Sequence, residues 1–141
     1  MKALSIILII LSIGLFVAPS HAVDWKNLNQ ATVAWDAVTT LSDGSAIPEG
    51  SSIQYRVYMA NAVTDPNKTN PAVLGTIPNI EYLITINAEG KYIIGVSAVR
   101  FADGAEVEES DINWSDVNGD STPNPFGFVH YLKPAIPKNL R

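Results

Sequence analysis

Apolar and polar residues alternate with a period of two along much of the chain after residue 30. The alternation runs through residues 31–37, 52–59, 82–86 and 92–99. A strand with one buried face produces this period because successive side chains point to opposite faces of a sheet. No window shows the 3.6-residue period of an amphipathic helix. The pattern therefore predicts an all-β protein built from antiparallel strands.

The same alternation assigns side chains to the two faces of each predicted strand. The positions predicted to form the core are Val33, Trp35, Ile53, Tyr55, Val57, Ile84, Ile86, Tyr92, Ile94 and Val96. Their neighbours, such as Arg56, Ser97 and Val99, are predicted to point away from that core. Segments rich in Gly, Pro, Asn and Asp separate the strands, as turns do. The spacing predicts an antiparallel β-sandwich of about seven strands, with a β-barrel as the alternative.

The first 22 residues have the pattern of a cleaved secretory signal peptide. Lys2 precedes an uncharged, mainly apolar run over residues 3–17, and Ser20 and Ala22 place small residues where a signal peptidase requires them. The run is shorter than the roughly 20 apolar residues that span a bilayer. We therefore predict that residues 1–22 are removed and that the mature chain is exported, to be periplasmic, extracellular or surface-associated. An uncleaved anchor helix is the alternative.

The composition of the remaining chain argues against some classes of binding partner. Without Lys2, the chain has 8 basic and 14 acidic residues. An acidic surface argues against nucleic acid and against anionic membrane surfaces as partners. No second apolar stretch follows the signal, so stable membrane insertion after cleavage is not expected. The absence of cysteine excludes disulfides, so the predicted domain, residues 23–133, depends on its hydrophobic core.

Three short patterns resemble a fibronectin type III domain. They are the Ala-Thr-Val-x-Trp run at residues 31–35, the strand pattern at residues 53–58, and the six-residue spacing from Ile86 to Tyr92. The resemblance covers about residues 24–132 and implies an immunoglobulin-like sandwich of that type. It also implies that the Tyr92 hydroxyl bonds back to the backbone of the preceding corner. It implies little about function, because this fold hosts many roles.

The position of the final strand is open to two interpretations. Seven carboxylates and no basic residue lie between Asp103 and Asp120. The final strand is either within residues 109–117 or within residues 126–132, and the aromatic and branched composition of the second favours it. Residues 101–124 are then predicted to form a long acidic loop. A loop of this length is often functional.

Candidate binding residues lie in this acidic segment and at aromatic positions outside the predicted core. Oxygen ligands alternate from Asp116 to Asp120 as in a calcium loop, but Ser121 and Gly127 replace the expected Gly and Glu. No metal site is therefore predicted, and weak cation binding is an alternative. Trp114 either contacts a ligand or anchors the loop on the domain. The predicted binding surface comprises Trp25, Tyr58, Asp111, Trp114, Asp116, Asn118 and Asp120.

The sequence offers no constellation of residues for catalysis. The predicted mature chain has one histidine, His130, whose place in an apolar strand favours a partly buried structural role. There is no nucleophile-elbow serine, no histidine pair for zinc and no phosphate-binding loop. No cofactor is predicted, and the chain is predicted not to be an enzyme. A glycan-acting enzyme that uses a pair of carboxylates is a remote alternative.

The last residues, 134–141, change to a basic, proline-rich composition. Such a segment could add as an extended strand to a sheet edge of a neighbouring subunit or partner. The function predicted first is a non-catalytic binding or adhesion module that contacts protein or carbohydrate at a surface. The alternative is an assembly subunit that associates weakly with itself, or docks on a partner, through this tail.

Overall fold

A computed structural model describes residues 22–117, 122 and 124–138. The described residues form nine strands and no helix, which confirms the all-β class. The strands are β1 (Asp24–Asn27), β2 (Gln30–Ala34), β3 (Ser51–Asn61), β4 (Ala72–Ile77), β5 (Glu81–Thr85), β6 (Gly90–Ala102), β7 (Ala105–Glu109), β8 (Asn113–Trp114) and β9 (Phe126–His130). The predicted signal, residues 1–22, lies outside the described residues apart from Ala22. Within the described residues no helix could cross a membrane.

The strands form two sheets. The larger sheet has the order β1-β9-β6-β3-β4, and β7 and β8 also pair with β6. The smaller sheet consists of β2 and β5. β1 runs parallel to β9, whereas the other pairs among the described strands are antiparallel. The chain therefore passes from the larger sheet to the smaller one within the few residues between β1 and β2.

The hydrophobic core takes side chains from both sheets. Six predicted core residues are buried: Tyr55, Val57, Ile84, Ile86, Tyr92 and Ile94. The other four are half-buried: Val33, Trp35, Ile53 and Val96. The rings of Trp35 and Tyr55 pack with centroids 5.5 Å apart. Val33 and Trp35 pack against the buried cluster, so eight of the ten residues chosen from the period of two lie at or beside the observed core.

Tyr92 makes the corner contact that the resemblance implied. Its hydroxyl donates to the carbonyl oxygens of Ala88, at 3.2 Å, and Glu89, at 3.3 Å. Its ring belongs to the buried cluster. Gly90 lies between these residues with φ near 152°, and a Cβ there would come within 3.2 Å of the Tyr92 ring. This expectation is confirmed, and it ties the start of β6 to the turn before it.

β3 pairs with one edge of the long strand β6, and three separate segments pair with its other edge. β7 pairs with residues 99–102, β8 with residues 95–96 and β9 with residues 90–92. The prediction of one loop over residues 101–124 is therefore wrong where β7 and β8 lie. The physical reason is that the backbone groups of β6 need partners along its whole length, and no single neighbouring run supplies them. Both segments proposed for the final strand, residues 109–117 and residues 126–132, contain a strand that pairs with this edge of β6.

The outward face of β6 is covered, contrary to the expectation that its residues point to solvent. Ser97 and Val99 are buried there. Ile112 and Trp114 lie over Gly95 so closely that a Cβ on Gly95 would be 2.5 Å from the Ile112 Cγ2 atom. Gly95 therefore leaves the space that these two side chains occupy. The side chains of Ile112 and Trp114, from residues that lie along the edge of β6, thus form a covering layer on the outer face of the larger sheet.

Candidate functional site

A cleft of about 660 Å³ opens between the two sheets. One wall is formed by the end of β2 and the residues after it, and the other by β6 and the facing ends of β8 and β9. The apolar side chains that line it are Val33, Ala34, Trp35, Val38, Ile94, Val96 and Phe126. The polar residues that line it are Asp36, Asn113, Ser115, Thr122 and Asn124. Apolar walls with a few convergent polar groups are typical of ligand sites.

The cleft exists because β2 is an edge strand and β1 does not cover it. β2 pairs with β5 on one side, and no described strand pairs with its other side. β1 is only four residues long and pairs with β9. The Leu28 N–H group continues that ladder by donating to the Val129 carbonyl at 3.0 Å. The short first strand therefore leaves the space beside the end of β2 open.

Hydrogen bonds hold the polar side of the cleft in place. The Ile94 N–H group donates to the Ser115 hydroxyl oxygen at 3.1 Å, and the Ser115 N–H group donates to the Ile94 carbonyl at 2.8 Å. The Thr122 hydroxyl donates to Asn113 Oδ1 at 3.1 Å. These bonds fix the segment after β8 against β6. The polar rim is therefore preformed rather than assembled on binding.

Trp35 contributes an unsatisfied donor to the wall of the cleft. Its Nε1 atom is buried and has no hydrogen-bond partner among the described residues. An unpaired buried donor costs about 1–3 kcal/mol. Trp35 also lines the cleft, although this buried atom is not exposed to it. Trp35, predicted only as a core residue, thus lies at the border between core and cleft.

A second polar cluster lies on the outer face of the larger sheet. The Glu109 carboxylate accepts hydrogen bonds from the Ser97 and Tyr58 hydroxyls. It also pairs with the Arg56 guanidinium, which reaches Glu106 at 2.6 Å as well. These residues come from β3, β6 and β7. The cluster therefore joins three neighbouring strands by charge-assisted hydrogen bonds.

The pKa values in this cluster reflect its burial and its hydrogen bonds. Burial alone would raise the pKa of Glu109, but hydrogen bonds from Ser97 and Tyr58 and the charge of Arg56 hold it below its ordinary value. Burial, with the hydrogen bond to Glu109, raises the pKa of Tyr58. At neutral pH Glu109 is therefore ionised and Tyr58 protonated. The cluster stabilises the fold in this state.

We expect acid to destabilise the protein through Glu109. Because the folded-state pKa of Glu109 lies below its ordinary value of 4.5, its contribution is complete above that value and is lost as the pH falls through the folded pKa. The Glu109→Gln variant should be less stable than wild type by about 1–2 kcal/mol near pH 6. The difference should shrink towards pH 3. Urea unfolding measures it, and a difference independent of pH would contradict the assignment.

Trp114 occupies the position of an anchor. Its ring packs over Gly95, and its centroid lies 6.4 Å from that of Tyr58. The Lys68 ammonium lies 5.6 Å from the centroid of the Trp114 ring and pairs with Asp116 at 2.8 Å. The ring is half-buried. These contacts fit the anchoring alternative better than the ligand-contacting one.

The other predicted binding residues are divided between several places. Tyr58, Asp111 and Trp114 line one shallow depression on the outer face. Tyr58 is buried and Asp111 is exposed. Trp25 packs instead on Gly127 in β9, with the Lys91 ammonium 5.0 Å from its ring centroid. The predicted surface is therefore not one open patch.

Two of the predicted residues, Asn118 and Asp120, lie outside the described residues, and so does most of the calcium-like run. Asp116, at the start of that run, is engaged by Lys68. No group of three or more metal-ligating side chains comes together in the part of the chain that the structure describes. His130 is half-buried at the end of β9.

Sequence reasoning missed the cleft and its polar rim. Asn113, Ser115 and Thr122 carry no motif, and they meet only because the chain returns to β6 twice. The one available signal is that only residues 23–28 are available for a first strand, which is short enough to leave a sheet edge incomplete. That signal indicates a gap, but it does not indicate which side chains line it.

No protein-family model, curated protein or solved structure matches the chain. The function is therefore argued from the geometry of the site. The feature of that geometry that matters most is the cleft beside the end of β2, which Val33 and Trp35 line from one side.

Proposed function

We propose that the chain is a non-catalytic, exported binding or adhesion module whose cleft accepts a protein or carbohydrate ligand. The observation that carries the proposal is the cleft itself. It combines apolar walls with a preformed rim of hydroxyl and amide groups. Ligand sites in proteins are commonly concave and mostly apolar, with a few placed polar groups.

We also propose a fibronectin type III topology for the domain. Three observations support it. β2 and β5 form one sheet that faces another containing β3, β4, β6 and β9. Trp35 follows the second strand and packs on Tyr55. The Tyr92 hydroxyl closes the corner before β6. The split of the edge strand into β7, β8 and β9 would then be a variation on this topology that creates the cleft.

A binding role is favoured over catalysis by the distribution of ionisable groups. Among the described residues that line the cleft, Asp36 is the one carboxylate, and no histidine is present. The Glu109 carboxylate with a lowered pKa lies on the outer face, paired with Arg56. General acid–base catalysis requires a titratable group within reach of a bound substrate. The described wall of the cleft holds too few such groups for the two-carboxylate mechanism.

Export is part of the proposal and rests on the sequence pattern of residues 1–22. An exported chain without cysteine meets its partner as a single acidic domain held by its core. Retention at a surface would then come from the ligand in the cleft. N-terminal sequencing of the protein recovered from an expressing culture tests export, because Val23 should be the first residue of the secreted form.

Blocking the cleft should abolish ligand binding without unfolding the protein. Val38 lines the cleft and its side chain is 38% exposed, so Val38→Arg places a long charged side chain there at little cost to the core. We expect the affinity to fall tenfold or more, on the order of 1.4 kcal/mol. A glycan array and capture from culture surfaces would identify the ligand, and titration of wild type and variant would measure the loss.

Val63→Arg is the matched control, because Val63 is exposed and does not line the cleft. It should bind as wild type does. Asp111→Ala tests the depression on the outer face separately. Equal binding by wild type and Val38→Arg, with a loss in Asp111→Ala, would move the binding site to the outer face and overturn the assignment of the cleft.

A further inference from the structure

We propose that the loop between β3 and β4, residues 62–71, is a latch that fixes the polar wall of the cleft, and that Lys68 is its positioning residue. This inference rests on the proposed function and concerns the control of the same cleft. Lys68 is not among the described residues that line the cleft. It acts through the segment that begins with β8, residues 113–116, two of which it contacts.

Residues 113–116 connect the latch to the cleft. Asn113 and Ser115 line the cleft. Trp114 and Asp116, which alternate with them, contact Lys68 instead: its ammonium lies 5.6 Å from the centroid of the Trp114 ring and 2.8 Å from Asp116 Oδ2. The Trp114 ring covers Gly95 on the outer face of the larger sheet. One short stretch of backbone therefore joins a contact outside the cleft to polar side chains inside it.

The ion pair between Lys68 and Asp116 is largely shielded from water. The two side chains are 17% and 18% exposed. An ion pair in this position is screened less by salt than an exposed one. The Asp116 Oδ1 atom is buried and accepts no hydrogen bond from the described residues. Loss of the Lys68 charge would leave a shielded carboxylate without its cation, which favours movement of Asp116 towards water.

The backbone of the latch is shaped to place Lys68. Its φ is near 55°, in the left-handed region that residues with a Cβ seldom adopt. The Asp65 carboxylate holds this conformation, because it accepts from the N–H groups of Thr69, at 2.8 Å, and Asn70, at 2.9 Å. The Lys68 N–H group donates to the Asp65 carbonyl at 3.1 Å. The bonds on both sides of Lys68 thus maintain a strained residue that reaches Asp116.

The start of the latch is tied to the end of β3. Asn61 Oδ1 accepts from the N–H groups of Val63, at 2.9 Å, and Thr64, at 3.1 Å. The Asp65 N–H group donates to the Asn61 carbonyl at 2.9 Å. Asn61, the last residue of β3, therefore holds the first half of the loop, and Asp65 holds the second half. The latch is an ordered arm that projects from the sheet.

The wall of the cleft needs this support because its ladder along β6 is short. β8 is two residues long. Beyond it, Ser115 bonds through its N–H group to the Ile94 carbonyl at 2.8 Å and through its carbonyl to the Phe126 N–H group at 2.7 Å. Asp116 is the next residue. The pair with Lys68 therefore secures the wall at the point where its bonds to β6 end.

The latch determines how well ordered the rim is when a ligand arrives. The Ser115 hydroxyl accepts from Ile94, and Asn113 Oδ1 accepts from the Thr122 hydroxyl. These groups stay in place as long as residues 113–116 do. A preorganised site loses less conformational entropy on binding than a mobile one. Release of the latch should therefore weaken binding although Lys68 does not line the cleft.

Amide hydrogen exchange, followed by NMR on the mature protein, tests the latch without a ligand. Lys68→Met removes the charge but keeps an unbranched side chain of similar length. We expect the amides of Ser115 and Phe126 to exchange about tenfold faster than in wild type, through local opening. The amide of Trp35, which extends the ladder of the smaller sheet, should be unchanged. An equal rise at all three amides, or no rise at Ser115, would overturn the proposal.

Three further variants check that the ion pair is responsible. Lys91→Met is the matched control, since the Lys91 ammonium lies 5.0 Å from the centroid of the Trp25 ring in another lysine–tryptophan pair. It should leave exchange at Ser115 unchanged. Lys68→Arg should retain most of the protection, because a guanidinium still pairs with a carboxylate. Asp116→Asn should resemble Lys68→Met, and the double variant should exchange no faster than either. Effects that multiply would mean that the two residues do not act together, against the proposal.

Binding of the ligand that wild type captures distinguishes this inference from the proposed function. Lys68→Met should bind it at least about threefold more weakly, and Lys68→Arg nearly as tightly as wild type. If Val38→Arg loses the ligand while Lys68→Met binds as tightly as wild type, the cleft remains the binding site and its control by the latch is wrong. If exchange at Ser115 rises but neither variant changes binding, the latch is supported and the ligand binds elsewhere.

Discussion

Replacement of Trp114 by alanine should lower the free energy of unfolding by about 3 kcal/mol. The ring fills the space over Gly95, approaches Tyr58 and lies beneath the Lys68 ammonium. Its removal leaves a cavity between β8 and β6 and weakens the docking of the segment after β7. Urea unfolding followed by circular dichroism measures the loss without relying on the fluorescence of the removed ring.

The effect separates the two interpretations of this residue. Asp111→Ala is the control, because Asp111 is exposed in the same segment and its loss should change stability by less than about 0.5 kcal/mol. If Trp114→Ala were as stable as wild type but lost its ligand, Trp114 would be a recognition residue and the anchor assignment would be wrong. A destabilised variant that binds normally once folded agrees with the anchor.

The period of two predicted much of the fold because it reports a local property. Whether a side chain faces the core depends on the strand to which it belongs, and for residues such as Val57 and Ile84 that strand is evident from its neighbours. The corner formed by Tyr92, which the resemblance to fibronectin type III domains implied, is likewise a local feature, because its partners lie within four residues. Short-range geometry can be derived from a short stretch of sequence.

The burial of residues on the outer face of β6 could not be predicted from the local pattern. Ser97 and Val99 alternate with core residues, and the local pattern therefore assigns them to solvent. They are buried because β7 and β8, which follow β6 in the sequence, return along its edge and bring Glu109 and Trp114 beside its outer face. The only local sign was the small size of Gly95 and Ser97, which leaves room for a covering layer but does not identify it.

The candidate site was even less predictable from a sequence pattern. The cleft requires β1 to pair with β9 and so leave one edge of β2 without a described partner strand, a choice between two partners that the alternation does not encode. It also requires β8 and β9 to be separate strands, so that Asn113 and Ser115 face Trp35 across a gap. Both are properties of strand pairing over long sequence separations, and such pairing depends on the whole packed structure.

Substitution of Gly95 by alanine should destabilise the protein by about 2 kcal/mol, although alanine is ordinarily favoured over glycine within a strand. The added Cβ would lie 2.5 Å from the Ile112 Cγ2 atom and 2.8 Å from the Trp114 ring. Gly75→Ala is the matched control in β4 of the same sheet, since its Cβ would approach no atom closer than 3.4 Å. That variant should be close to wild type in urea unfolding.

The two substitutions should also be coupled. In a Trp114→Ala background the new Cβ meets the Ile112 side chain but no longer the ring, so Gly95→Ala should cost about 1 kcal/mol less than in wild type. Additive effects would mean that the layer yields easily and that Gly95 is not shaped to receive it. A clear coupling would mean that the glycine and the tryptophan form one packing unit. The part of β6 whose residues line the cleft on its inner face would then be held rigid by packing on its outer face.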